Sequence, residues 1–299
     1  MADDAIKVKG LTKSYGKQRG VVDLNFSVIQ GEVFGYLGPN GAGKTTTIRV
    51  LLDFMRPSQG QTEIFGLDSH KNSVEIKRLV GYLPGDLSLY ENLTGTEILK
   101  FLAKFRDGVD WKYVEKLRSR LKVDLHQKIK KMSHGNKQKI GLIQAFMHKP
   151  KLVILDEPTS GLDPLIQHEF YHLVSETKGM GTTFFISSHN LPEVEKICDR
   201  VGIIREGELA IVERVETLRE KALRPLEVHF SKAPKLEEFS KIEGVQDVRV
   251  EGNLLRCTVV GTLDSFVKEI AKYEVVNIIS QEPNLEELFL TYYVDKEKS

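Results

Sequence analysis

The segment of residues 38–45, with the sequence GPNGAGKT, constrains this chain more than any other feature. It matches the pattern G-x-x-x-x-G-K-[ST], in which backbone amides at the start of a helix surround phosphate groups. The apolar residues 33–37 before it have the pattern of a buried strand, and residues 46–55 after it have that of a helix. The motif therefore lies between a strand and a helix, and the sequence predicts a nucleoside-triphosphate site in an α/β fold.

Each residue type in this loop has a predicted role. The glycines allow turns that a side chain would block, so that the backbone can approach the phosphates closely. Lys44 is placed to reach the β- and γ-phosphates, and the Thr45 hydroxyl is predicted to ligate Mg²⁺. The predicted nucleotide-binding residues of this stretch are Gly38, Pro39, Asn40, Gly41, Ala42, Gly43, Lys44, Thr45 and Thr46.

Overall charge and cysteine content exclude some classes of function. The 43 basic residues nearly balance the 42 acidic ones, so the strongly basic surface typical of nucleic-acid binding is not expected. Only two cysteines, Cys198 and Cys257, are present, which indicates a reducing cytoplasm rather than a disulfide framework. No apolar run approaches the roughly 18 residues needed to cross a bilayer. If the protein works at a membrane, the membrane-spanning part must then belong to another subunit.

A second constellation of polar residues follows two apolar segments. Residues 152–155 are all apolar and precede Asp156 and Glu157, the pattern of a strand buried in a parallel sheet. Ligands of such sheets bind at the carboxyl ends of the strands. Asp156 is therefore predicted to hold Mg²⁺, and Glu157 to polarise the attacking water. His189, just after the apolar segment 182–186, is predicted to hydrogen-bond the γ-phosphate.

The remaining patterns predict the domain organisation. Residues 6–11 and 22–28 alternate as antiparallel strands beside the nucleotide core, and residues 87–148 have the periodicity of a helical insert. Residues 1–215 are thus predicted to form an α/β P-loop NTPase core with an antiparallel β subdomain and a helical insert. Residues 216–299 are predicted to form a small α+β domain, ending in an amphipathic helix that carries Leu285, Leu288, Phe289 and Tyr292.

Two local features stay ambiguous on sequence alone. Tyr15 lies in a polar turn, where its ring either stacks on a base or is an ordinary exposed tyrosine. Ser133 is a predicted N-cap, which leaves Gly135 and Asn136 with free amides at the start of a helix. Taken by itself, this segment is only a capped helix.

Taken in order, five motifs resemble the ATP-binding subunit of ABC transporters, most closely the ATPases of ABC-2-type drug and antibiotic exporters. They are the phosphate loop, residues 132–136, residues 152–157, residues 160–163 and His189. The resemblance implies that two copies, or a copy and a similar paralogue, close head to tail around ATP. Ser133, Gly135 and Asn136 would contact the partner's γ-phosphate, and Asp163 would couple the two sites. It also implies that Tyr15 stacks on adenine, that Glu157 is the catalytic base and that His189 senses the γ-phosphate.

The chain departs from the family pattern at two places. The segment that usually reads Leu-Ser-Gly-Gly-Gln has Met132, His134 and Asn136 here, while Ser133 and Gly135 are retained. Gly85 stands where the family commonly has a glutamine that contacts Mg²⁺ and the attacking water. Its side chain can do neither.

The resemblance implies an ATP-hydrolysing subunit that uses Mg²⁺ and powers solute efflux through a separate membrane permease. Such a subunit is cytoplasmic and peripheral on the inner face of the cell membrane. Leu87, Leu89 and Tyr90 are predicted either to contact the permease or to belong to the core of the insert. The alternative is a soluble ABC ATPase that acts on the ribosome or nucleic acid. A single phosphate loop without sustained heptads disfavours it.

Overall fold

The computed structural model describes residues 3–280 except 17, 107 and 222. The chain divides into two compact units, Met1–Val212 and Glu213–Ser299. The strands up to this division are β1 (Asp4–Tyr15), β2 (Gln18–Ile29), β3 (Val33–Leu37), β4 (Gln59–Ile64), β5 (Leu67–Asp68), β6 (Val80–Leu83), β7 (Leu152–Asp156), β8 (Thr183–Ser188), β9 (Arg200–Arg205) and β10 (Glu208–Arg214). The helices are α1 (Lys44–Leu51), α2 (Ser73–Leu79), α3 (Gly95–Ala103), α4 (Trp111–Leu121), α5 (His134–Phe146), α6 (Pro164–Gly179) and α7 (Leu191–Ile197).

The strand order of the main sheet positions the site. The order is β10-β9-β3-β8-β7-β6, and β3 pairs in parallel with β8 and β9, while β7 pairs in parallel with β6 and β8. The carboxyl ends of β3, β8 and β7 are therefore neighbours at one edge. Because the phosphate loop, His189 and Glu157 follow these three strands, residues more than a hundred positions apart meet there.

An antiparallel sheet of order β2-β1-β4-β5 packs on the main sheet. A cluster of aromatic rings joins the two sheets: Phe26 of β2 stacks on Phe34 of β3 with ring centroids 5.7 Å apart, and on Phe185 of β8 at 6.2 Å. Phe34 and Phe185 are completely buried. Stacked rings add about 0.5–1.5 kcal/mol per pair to the free energy of burying their area. The antiparallel strands are thus attached to the sheet that carries the phosphate loop.

The insert between β6 and β7 contains α3, α4 and α5 with a 3-10 turn (Ile129–Lys131). The three-residue spacing of Thr94 and Glu97 predicts a capping box at the start of α3, and the structure confirms it. Thr94 Oγ1 accepts a hydrogen bond from Glu97 N at 3.2 Å, and Glu97 Oε2 accepts one from Thr94 N at 2.8 Å. The predicted N-cap at Ser133 is also confirmed, because its Oγ accepts from Asn136 N at 3.3 Å.

Some elements differ from their predicted bounds. The helix after the phosphate loop ends at Leu51 rather than at residue 55, because Asp53 has a left-handed φ of 54° and turns the chain. Tyr15 is the last residue of β1 rather than part of a turn. Strands β9 and β10 were not predicted. Their own residues alternate only weakly between apolar and polar, and pairing with β3 holds β9 in the main sheet.

The second unit contains α8 (Val215–Lys221), β11 (Leu223–Phe230), α9 (Leu236–Phe239), β12 (Val245–Glu251), β13 (Leu254–Val260), α10 (Asp264–Ile270) and β14 (Val275–Ser280). From β11 onward this is a β-α-β-β-α-β order with the sheet order β12-β13-β11-β14, the split β-α-β motif. Strands β11 and β13 have alternating burial, with Leu226, Val228 and Phe230 of β11 buried. The predicted final helix over Leu285 to Tyr292 lies outside the described residues.

Among the helices in the described part of the chain, none is both long and apolar enough to cross a membrane.

Candidate nucleotide-binding and hydrolysis site

The shape of the phosphate loop depends on its glycines. Gly41 and Gly43 have left-handed φ angles of 82° and 110°. A Cβ at Gly43 would lie 2.6 Å from Val21 Cγ1, and one at Gly38 would lie 2.2 Å from the carbonyl oxygen of Ile204. Larger residues at these positions would therefore push the loop away from β2 and β9.

Lys44 is the first residue of α1 and is nearly buried, with 6% of its side chain exposed. Its Nζ donates hydrogen bonds to the carbonyl oxygens of Gly38 at 2.6 Å and of Pro39 at 3.2 Å. Nζ also lies 3.2 Å from Glu157 Oε1, an ion pair without hydrogen-bond geometry. The ammonium group is thus held inside the loop and beside the Glu157 carboxylate.

Thr45 and Asp156 form an oxygen-rich pair next to Lys44. The Thr45 hydroxyl donates a hydrogen bond to Asp156 Oδ2 at 2.8 Å, and the buried Ser187 hydroxyl donates one to Asp156 Oδ1. A hydroxyl and a carboxylate in contact are the ligand types that Mg²⁺ prefers, so these two residues fit the predicted metal role. Gly85 borders the same carboxylate, since a Cβ there would lie 3.2 Å from Asp156 Oδ2.

Glu157 lies between the two basic groups of the site. Its Oε2 is 2.8 Å from His189 Nδ1, and its Oε1 is 3.2 Å from Lys44 Nζ. The residue has a left-handed φ of 51°, which its amide stabilises by donating to the carbonyl oxygen of Ser187 at 3.1 Å. Left-handed backbone at a residue with a side chain costs free energy and is concentrated at functional sites. This turn directs the Glu157 carboxylate toward the phosphate loop.

A cleft of about 340 Å³ extends from Lys44 and Glu157 to Tyr15. The predicted nucleotide-binding and metal residues that line it are Tyr15, Pro39, Asn40, Gly41, Gly43, Lys44, Thr45, Thr46 and Asp156. Gly38 and Ala42 are predicted residues that do not line it. Ala42 is buried, and its carbonyl oxygen accepts a hydrogen bond from Gly207 N at 3.0 Å.

The position of Tyr15 agrees with a role at the end of the cleft. Tyr15 is 42% exposed. Its ring packs against Gly20, where a Cβ would lie 2.8 Å from Tyr15 Cε2. The Tyr15 hydroxyl contacts Met55 Sδ at 3.0 Å and Thr46 Oγ1 at 3.3 Å. Gly20, Thr46 and Met55 therefore hold the side chain in place, while the residue remains accessible from the cleft.

We expect Tyr15→Ala to weaken ATP binding about 5- to 150-fold, because stacking on a base contributes roughly 1–3 kcal/mol. Tyr15→Phe should bind nearly as the wild type does. Isothermal titration with ATP and with inorganic tripolyphosphate, which has no base, checks this. Equal losses for both ligands would show that Tyr15 only shapes the phosphate loop. Tyr90→Ala is the control, since Tyr90 is an exposed aromatic residue outside the cleft.

The segment of residues 133–136 lies away from this cleft. Ser133 and His134 are exposed, and none of Ser133, Gly135 and Asn136 belongs to the cleft lining within the described residues. Gly135 packs against the loop after Glu157: a Cβ there would lie 2.4 Å from the carbonyl oxygen of Gly161. Asp163 is exposed and caps α6 by accepting from Ile166 N at 3.0 Å.

Gln138 links the helix that begins after Ser133 to the loop that begins at Glu157. No sequence pattern predicted this role. Its side chain is almost fully buried, and Nε2 donates to the carbonyl oxygens of Glu157 and Pro158, each at 3.2 Å. Ser187, which holds Asp156, is similarly unmarked in the sequence. The only available signal for Ser187 is its position at the carboxyl end of a buried strand.

Together these residues place a cation, a carboxylate with an adjacent imidazole, and an oxygen pair for a divalent metal beside a phosphate-binding loop. This fold and site define a P-loop ATPase. A family model described as "ABC transporter" matches residues 21–160.

Curated relatives extend the comparison beyond the matched segment. The bacitracin transport ATP-binding protein BcrA of Bacillus licheniformis is 42% identical over 232 residues, which are 76% of this chain and 75% of that protein. The linearmycin resistance ATP-binding protein LnrL of Bacillus subtilis is 33% identical over 307 aligned residues, covering 95% of this chain and 97% of that protein. A solved ATP-binding subunit of an ABC transporter is similar in structure, with a TM-score of 0.66 and 32% identity over 72% of this chain and 92% of that one.

The chain belongs to the ABC transporter family. It is an ATP-binding subunit of that family, an ATPase that works with ATP and Mg²⁺. The relatives are transport ATPases, and they provide no support for the alternative of a ribosomal or nucleic-acid function.

Proposed function

We propose that this chain powers the export of an antibiotic or similar drug through a separate membrane permease. The observation that carries the catalytic part is the contact of Glu157 with both Lys44 and His189 above the phosphate loop. The export part is supported by relatives named for bacitracin transport and linearmycin resistance.

In this proposal each residue acts at a stated atom. Lys44 Nζ stabilises the charge that develops on the γ-phosphate, and the amides of the loop hold the other phosphate oxygens. Glu157 accepts a proton from the attacking water, and His189 orients this carboxylate and the γ-phosphate. Thr45 and Asp156 would hold Mg²⁺, which neutralises phosphate charge when bound.

The active form is proposed to be a head-to-tail dimer of two copies, or of this chain and a similar paralogue. Ser133, Gly135 and Asn136 lie outside the cleft of their own chain, although Ser133 is exposed and caps a helix start suited to anions. A second copy can supply them to the γ-phosphate, with Asp163 beside the contact. Two-fold association is the commonest form for such proteins.

The permease is proposed to dock on the helical insert at the inner face of the membrane. Tyr90, Phe101 and Phe105 form an exposed aromatic row, with ring centroids 5.9 Å and 5.4 Å apart and exposed fractions of 65%, 39% and 67%. Leu87, in contrast, is half-buried and packs against Gly141 of α5. For the second unit we propose a role in regulation or dimer contacts.

A light-scattering experiment tests the dimer. Glu157→Gln should trap the ATP-bound state, so its mass should double with Mg-ATP and stay that of a monomer with Mg-ADP. In the same background, Ser133→Arg places a long cation on the exposed surface and should prevent the doubling while ATP binding is kept. A mass that stays monomeric with ATP bound would contradict dimer closure by this chain alone.

Drug export is tested in cells. The chain is expressed with a candidate permease in a bacitracin-sensitive bacterium, and tolerance is compared with that of cells carrying the Glu157→Gln variant at equal expression. We expect higher tolerance only with the wild-type pair, and sedimentation of the chain with membranes only when the permease is present. Sedimentation with ribosomes, independent of the permease, would contradict the proposal.

A further inference from the structure

Glu193 is a buried carboxylic acid that the hydrolysis scheme above does not use. It lies on α7, with 2% of its surface exposed. Its Oε2 accepts a hydrogen bond from the Ser188 hydroxyl at 2.7 Å, whereas Oε1 is buried and makes no hydrogen bond of good geometry to the described residues. A buried carboxyl group with an incomplete set of partners is costly, so its presence needs a reason.

Ser188, the partner of Glu193, connects several parts of the site. Its carbonyl oxygen accepts a hydrogen bond from Gly38 N of the phosphate loop at 3.2 Å. Its hydroxyl accepts one from Asn190 N at 3.0 Å, across the turn that carries His189. The side chain that fixes Ser188 therefore also fixes the start of this turn.

Thr159, two residues after Glu157, lies near the Glu193 carboxyl group, and its hydroxyl acts to lower the pKa of that group against the larger effect of burial. It makes no hydrogen bond of good geometry to Oε1, so the defined contact of Glu193 is the one with Ser188. No hydrogen bond joins Glu193 to the side chain of Glu157 or of His189.

We propose that Glu193 is a positioning residue for ATP hydrolysis, which fixes Ser188 and the turn of residues 188–190 and so keeps His189 Nδ1 next to Glu157 Oε2. This inference rests on the roles proposed above for Glu157 and His189. It adds a residue that acts through Ser188 rather than on the nucleotide.

The charge of Glu193 makes the role testable by pH. Burial, and then the negative charge of Glu157, raise its pKa to about 7, while the Ser188 and Thr159 hydroxyls and His189 act in the opposite direction. The other titratable groups that face it are Tyr171 of α6 and Cys198 after α7, whose pKa values Glu193 raises as a secondary cause after burial. The charged form is the stronger acceptor for the Ser188 hydroxyl, so this connection is complete only above neutral pH.

The first test is steady-state ATPase kinetics of the full chain between pH 6 and 8.5. We expect kcat of the wild type to rise through an inflection near pH 7. Glu193→Gln should lose this inflection and have a kcat about 5- to 20-fold lower at pH 8, the effect of about one hydrogen bond, with less than a twofold change in KM for ATP. Glu195→Gln, the same change two residues along α7, should keep the wild-type profile.

A double-mutant cycle separates positioning from general damage. Ser188→Ala should lower kcat by a similar factor, and Ser188→Ala with Glu193→Gln should cause little further loss, because both remove the same connection. Ser188→Thr, which keeps the hydroxyl, should restore activity in part. Full additivity of the two losses would overturn the proposal.

Thermal unfolding shows whether the variant folds and whether the carboxyl group titrates. The folded-state pKa is raised above the ordinary value of 4.5, so the folded chain holds more protons here than the unfolded chain between about pH 4.5 and 7. The stability contributed by this group therefore falls as pH rises through that window. Glu193→Gln should melt at a higher temperature than the wild type at pH 8, and this difference should shrink toward pH 5.

The remaining outcomes are also decisive. A folded Glu193→Gln protein with unchanged kcat and an unchanged pH profile would overturn the positioning role. A rise in KM with kcat unchanged would overturn it too, since Glu193 would then support nucleotide binding. A wild-type chain that binds ATP without hydrolysing it, at any pH and with its permease, would instead refute the roles proposed for Glu157 and His189.

Discussion

Replacing Glu157 by glutamine should lower kcat for ATP hydrolysis by about 10²–10⁴-fold, the range that a general base contributes. Glutamine has the same shape but cannot accept a proton from water at neutral pH. It also removes the negative charge 3.2 Å from Lys44 Nζ and 2.8 Å from His189 Nδ1. Both basic groups are then freer to interact with phosphate, so ATP binding should be kept or strengthened.

Phosphate release at saturating Mg-ATP, with a parallel titration of ATP binding, measures the two effects. Glu206→Gln is a closely matched control, because Glu206 also has a left-handed φ, 52° against 51° for Glu157, and its side chain is 80% exposed. The control should hydrolyse ATP as the wild type does. A Glu157→Gln protein that retained a third or more of the wild-type kcat would refute the assignment of the base.

Lys44→Met should weaken Mg-ATP binding about 10- to 150-fold, since a hydrogen bond to a charged group contributes roughly 1.5–3 kcal/mol. Methionine keeps the length of the apolar stem, which is nearly buried, and removes the ammonium group that donates to Gly38 and Pro39. Hydrolysis should fall as well, because we propose that the same cation stabilises the charge on the γ-phosphate.

Fluorescence titration with an ATP analogue measures the loss, and circular dichroism confirms that the variant is folded. Lys7→Ala is the control, because Lys7 is partly exposed and forms a surface ion pair with Asp4 at 3.5 Å. Surface pairs of this kind contribute little. An unchanged dissociation constant for Lys44→Met would show that the loop amides alone bind the phosphates.

The two variants divide the reaction into its parts. Glu157→Gln is expected to stop the chemical step while ATP remains bound, whereas Lys44→Met is expected to remove the binding on which that step depends. If both lowered only affinity, the carboxylate would be part of the phosphate site and the base would have to be sought elsewhere.

Much of the local structure was predictable because its causes lie within a few residues. The capping box of Thr94 and Glu97 and the N-cap at Ser133 depend on spacings of three residues. The apolar run before Asp156 predicted a strand buried on both faces, and the structure places it between two parallel neighbours. Strands β9 and β14 were not predicted, although each is rich in valine and isoleucine, which favour strands. Their positions in the sheets are decided by pairing with β3 and β11, which no local pattern encodes.

By itself, the sequence determined that this chain carries a phosphate-binding loop, a carboxylate pair after a buried strand and a capped helix in a fixed order. Those properties follow from residue type and short spacing. Only the tertiary structure decided that Glu157 lies between Lys44 and His189, and that Glu193 is buried against Ser188. It also decided that Ser187 donates to the Asp156 carboxylate and Gln138 to the backbone carbonyl oxygen of Glu157. These contacts join residues from different strands and helices, and the parallel sheet order, which no local pattern encodes, brings those elements to one edge.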